Sequence, residues 1–139
     1  DEMSSRGLGD VYKRQPRNVA ASTAEKIRSS IESHTFEVDA DLSIKNTCSI
    51  GFASFPFMPQ APAKCSWEQV LDVADTCLYA AKGSQRNAWV GVHISTNCTD
   101  NAIIDKFLKT PEQTVQSQAV NVLSSLPVDE LKGWKNNNV

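Results

Sequence analysis

The chain has 139 residues, 40% hydrophobic and 22% charged, enough for one ordinary globular domain. A formal net charge of −2 provides no global positive field to recruit nucleic acid or an anionic membrane. No apolar run approaches the roughly 20 residues of a membrane span, and Asp1 to Arg17 lacks the apolar core of a signal peptide.

Residues 1–15 are charged, carry two glycines and show no periodicity. The run from Ser5 to Gln15 resembles a translated linker of the kind that heads transcript-derived reads; a natural leader is the alternative. On either account the fold is expected to start at Pro16. Ala20, Ala24, Ile27 and Ile31 then form one apolar stripe with Lys26, Arg28 and Glu32 off it, which predicts a helix from about Asn18 to Ser33.

Leu42 and Ile44 alternate with polar neighbours. Next, Cys48, Ile50 and Phe52 share one face of a predicted strand, with the small Ser49, Gly51 and Ala53 on the other, where a backbone or ligand can come close. Pro56, Pro59 and Pro62 close that strand in a loop. Ser66 and Gln69 make a capping box. Trp67, Val70, Leu71, Ala74, Cys77, Leu78 and Ala81 continue as the clearest amphipathic helix of the chain, with Lys82 in its last turn and Gly83 as the C′ residue. Ala88 to Ile94 reads as another strand.

Beyond Ser95, Ile103, Ile104, Phe107 and Leu108 predict a short helix. Thr110, Pro111 and Gln113 predict a second capped helix, with Val115, Ala119, Val122, Leu123 and Leu126 as its stripe. Asn136 to Asn138 read as a disordered tail. The organisation expected is therefore a leader over 1–15, a domain portion over 16–94 and a helical extension over 95–139.

The four cysteines, Cys48, Cys65, Cys77 and Cys98, contain no C-x-x-C pair, and neither His34 nor His93 stands at ligand spacing, so a structural zinc site is not expected. Buried free thiols at Cys48 and Cys77 and a reducing cytoplasmic location are the expectation.

Three segments carry a family resemblance. Ala24-Glu25-Lys26-Ile27-Arg28, Cys48-Ser49-Ile50-Gly51-Phe52-Ala53, and Ala74-Asp75 through Leu78-Tyr79-Ala80-Ala81-Lys82 followed by Arg86-Asn87 resemble, in order, the second half of GGDEF domains. The resemblance covers residues 19 to 94. It implies an α+β fold: part of a palm-like, nucleotide-cyclase-type antiparallel sheet flanked by helices. It also implies a fragment of a diguanylate cyclase, the bacterial signalling enzyme that joins two GTP molecules into cyclic di-GMP across a homodimer. By resemblance, Lys82 and Arg86 match the basic pair that grips the GTP triphosphate, and Lys26 matches an inhibitory-site cation. For Lys82 the alternative is a favourable charge at a helix C-terminus; for Arg86, a solvated turn residue; for Lys26, a solvated helix face.

The family's Gly-Gly-Asp/Glu-Glu-Phe hairpin, which helps hold the magnesium pair, is absent, and Gly7-Leu8-Gly9-Asp10 does not replace it. The family's Arg-x-x-Asp motif is also missing, and Gln85 stands where the family has glycine, a freedom Gly83 is expected to supply. Magnesium is thus expected only in the parent domain, with no catalytic residue or metal ligand here, and the chain alone is expected to be inactive. The alternative is a degenerate, non-catalytic GGDEF-derived module that binds nucleotide or protein. Trp67, Leu78 and Tyr79 are read as core, and Asp75 as a structural or surface carboxylate.

Overall fold

The computed structural model describes residues 19–55, 57–58, 60–95 and 98–135. The leader, Pro16 and the Asn136 to Asn138 tail lie outside them. The described residues form a mixed α+β structure. Helix α1 is described over residues 19–33. A hairpin of β1 (Thr35–Asp39) and β2 (Leu42–Lys45) follows, then β3 (Ile50–Ala53), α2 (Trp67–Ser84), β4 (Trp89–His93), α3 (Ile103–Lys109), α4 (Pro111–Gln116) and β5 (Asn121–Ser124). None of the described helices is long and apolar enough to cross a membrane.

Strands β3, β4 and β5 make one sheet in that order. The pair β3–β4 is parallel and β4–β5 antiparallel. The sheet is therefore mixed rather than antiparallel throughout. The parallel seam follows from connectivity, since parallel neighbours need a crossover and α2 supplies it.

The capping box at the start of α2 forms as expected: the Gln69 N–H donates to Ser66 Oγ at 3.2 Å, and the Ser66 N–H donates to Gln69 Oε1 at 3.0 Å. Val70, Val73, Cys77, Ala80 and Ala81 bury one face of α2 against Val90, Val92, Ile103, Ile104 and Phe107. Burial pushes the Cys77 thiol up, well above the usual thiol range. All four cysteines are free; Cys65 and Cys77 are buried, while Cys48 is only half-buried. Trp67, at 61% exposure, and Tyr79, at 47%, lie outside the core, and Leu78 is half-buried. The buried face is centred on Val73 and Cys77, so the Trp67–Leu71 edge of the predicted stripe turns to solvent.

Ala74 and Leu78 meet β3 instead. A Cβ on Gly51 would stand 2.2 Å from the Ala74 carbonyl oxygen and 2.3 Å from the Leu78 nitrogen. The small face of this strand thus admits the helix backbone.

The C-terminal region departs from the expected helix. Helix α4 stops at Gln116, and Gln118 turns the chain with φ +60°. Thr110 does not cap it; its hydroxyl donates to the Lys106 carbonyl. The residues Val122, Leu123 and Leu126 of the predicted helical stripe belong to β5 and its exit. β5 occupies the second edge of β4, where pairing satisfies backbone groups that a helix would leave open. Phe107 and Val120 join the same core as α2, so the extension is packed into the sheet domain. From Leu131 the chain runs back along α2. Trp134 packs edge-on against Phe107, and Lys135 donates to Asp75 at 2.7 Å.

Candidate functional site

Helix α2 ends beside the start of β4, and two of the four residues between them are strained. Ala81 O accepts the N–H of the capping residue Gln85 and that of Arg86, the latter at 3.0 Å. Arg86 and Asn87 then adopt consecutive left-handed conformations, φ +57° and +49°. For a residue with a Cβ this costs on the order of 1–2 kcal/mol, less for asparagine. Gly83 does not supply the freedom. It is not among the positive-φ residues but sits inside α2, and its missing Cβ instead makes room for Gly133, whose Cα would lie 2.7 Å from it.

Lys82, in the last turn of α2, and Arg86, just beyond it, are both exposed at this end of the helix. Neither side chain makes a hydrogen bond or ion pair with another described residue. Two unengaged cations at a helix end can take a polyanion, the lysine as a point charge and the arginine as a fork.

A polar clasp fixes Asn87 from across the fold. Arg28 Nη1 of α1 donates to Asn87 Oδ1 at 3.1 Å. The same guanidinium grips Glu25 with two bonds, Nη2 to Oε1 at 2.6 Å and Nε to Oε2 at 3.0 Å, and pairs with Glu32. Trp89 Nε1 of β4 donates to Glu25 Oε2 at 2.7 Å. These bonds, chiefly from Arg28 and next from Trp89, hold the Glu25 carboxyl down to about 2. Asn87 and then Arg28 hold the Glu32 carboxyl below its usual range. Bonding to Glu25 pushes the Arg28 guanidinium further above its already high value.

The clasp ties together two of the segments quoted for the resemblance, at a separation of 59 residues. Local spacing gives no sign of such a pairing.

Lys26 is exposed on α1, two residues from Arg28, and takes no part in the clasp. Asp75 is half-buried and engaged by Lys135, as suits a structural carboxylate. His34 packs edge-on against Phe36, and His93 lies 3.4 Å from the Ile94 carbonyl through Nδ1. Among the described residues no group of three or more His, Cys, Asp or Glu side chains is gathered to hold a metal ion. The exposed cations Lys82 and Arg86 are the charged groups that this end of α2 presents.

No protein-family model, curated protein or solved structure matches the chain.

Proposed function

We propose that this chain is the phosphate-gripping half of a GGDEF-type diguanylate cyclase. In this reading its mixed sheet is part of a palm-like sheet, and Lys82 and Arg86 contact the triphosphate of GTP. The parent would bind magnesium, work as a homodimer and produce cyclic di-GMP in the cytoplasm or at a membrane anchor. The observation that supports the reading is the hydrogen bond from Arg28 to Asn87. It joins the Ala24–Arg28 helix to the Arg86–Asn87 turn, two segments that carry the resemblance and lie 59 residues apart. Without the carboxylates that hold magnesium, the chain binds nucleotide and does not cyclise it.

Titration with a fluorescent GTP analogue tests this. K82A/R86A is expected to weaken binding about tenfold or more per cation removed, a charge-assisted bond being worth ~1.5–3 kcal/mol. Unchanged affinity in the double variant overturns the clamp. Cyclic di-GMP formed by the purified chain overturns the inactive-fragment reading. The parent gene upstream of residue 16 separates the enzyme from a non-catalytic module: an intact Gly-Gly-Asp/Glu-Glu-Phe run supports the first and a corrupted run the second.

A further inference from the structure

The strained turn and the clasp meet at one peptide unit. Arg86 and Asn87 are both left-handed, and neither is glycine. Strain of this kind persists only where the surroundings over-determine it, and it concentrates at functional positions. Arg86 is held through its backbone by Ala81 O, and Asn87 through its side chain by Arg28. Arg28 in turn has little freedom, because Glu25 takes two of its nitrogens and Glu32 a third contact, while Trp89 fixes Glu25 to β4. The Arg86 side chain is left outside this network. The result is a locked neighbour beside an unengaged cation.

We infer that Arg28 is a positioning residue for Arg86: through Asn87 it sets the left-handed turn and so the direction in which Arg86 meets a phosphate. The inference rests on the reading of Arg86 as a triphosphate contact. It also assigns α1 a role in nucleotide affinity, exerted through the turn.

The test is a double-mutant cycle on the full chain, with R28M, N87G and R28M/N87G. It uses GTP titration and hydrogen exchange of the Arg86 amide as two separate readouts. R28M is expected to weaken GTP binding about tenfold and to speed exchange of the Arg86 amide. N87G, which removes the partner and relaxes the turn, is expected to do the same. The double variant should lose no more than N87G alone, because Arg28 acts through Asn87. R28K, which keeps the charge without the fork, should fall between wild type and R28M.

Additive losses in the double variant overturn the inference, since they mean that Arg28 only docks α1. Exchange at Arg86 unchanged by R28M also overturns it. If R28M does not fold, N87G decides: unchanged GTP affinity there overturns the inference. If exchange at Arg86 speeds up but K82A/R86A leaves GTP affinity intact, the phosphate reading fails while the turn clamp stands.

Discussion

The tightest constraint at residue scale is Gly51. Its missing Cβ faces helix backbone, the Ala74 carbonyl and the Leu78 amide, neither of which can rotate away. Gly91 is equally crowded, but by the ring of Phe52, a half-buried side chain that can swing aside. Gly51→Ala is therefore expected to destabilise by ~1–3 kcal/mol or more, the usual cost of overpacking, and Gly91→Ala by less. Urea unfolding of both variants checks the order, and an unchanged midpoint for Gly51→Ala refutes the tight seam. The need for a small residue at position 51 was legible in the alternation of Ser49, Gly51 and Ala53. Which backbone fills the space was not, because Gly51 and Ala74 are far apart in the sequence. Arg86 and Asn87 show the same limit, since a left-handed turn carries a sequence signal when glycine makes it and little when asparagine and arginine do.

At the scale of elements, α2 was the most legible part of the chain because its N-cap and its period are local, although the helix runs past Gly83, the expected C′ residue, to Ser84. Ser66→Ala is expected to cost about 1 kcal/mol, the typical loss of an N-cap, and thermal melting measures it. Helix α4 and β5 were misread for the opposite reason. Val115, Val122 and Leu126 satisfy a helical period, but β4 has an open edge and Gln118 breaks the helix. Pairing with a distant strand decided what the local pattern left ambiguous. α1 was legible as a helix, yet what docks it was not. Ala24 is buried, whereas Ile27 on the predicted stripe is 46% exposed, so polar contacts carry much of the attachment. Glu25 makes that attachment acid-sensitive. Its carboxyl is held at about 2 in the fold against an ordinary 4.5. The stability it contributes is fully present above about pH 4.5 and is lost as the pH falls toward 2. Denaturant midpoints measured from pH 7 to 3 should fall along this branch, and Glu25→Gln should flatten the slope. An identical slope in wild type and variant would sink the assignment.

On the scale of the whole molecule, apolar surface remains uncovered. On the hairpin, Phe36 and Ile44 sit directly opposite each other, and both are exposed together with Val38 and Leu42. Strand β3 also ends the three-stranded sheet with an open edge. Such surfaces favour association. Sedimentation of the chain should show concentration-dependent assembly or precipitation, and Ile44→Lys should reduce it; a monomer at all concentrations with a sharp two-state melt would count against this. The Arg28 clasp has a further consequence, because it joins two parts of the molecule that answer oppositely to salt. The ion pairs Arg28–Glu25 and Arg28–Glu32, both within α1, hold the guanidinium that reaches across to Asn87, and such half-exposed pairs are screened as ionic strength rises. The apolar core of α2, β4 and α3 is strengthened by excluded salts such as sulfate. Raising sulfate should therefore loosen α1 while tightening the sheet beneath it. Hydrogen exchange would then quicken in residues 19–33 and slow in β4, splitting one unfolding event into two.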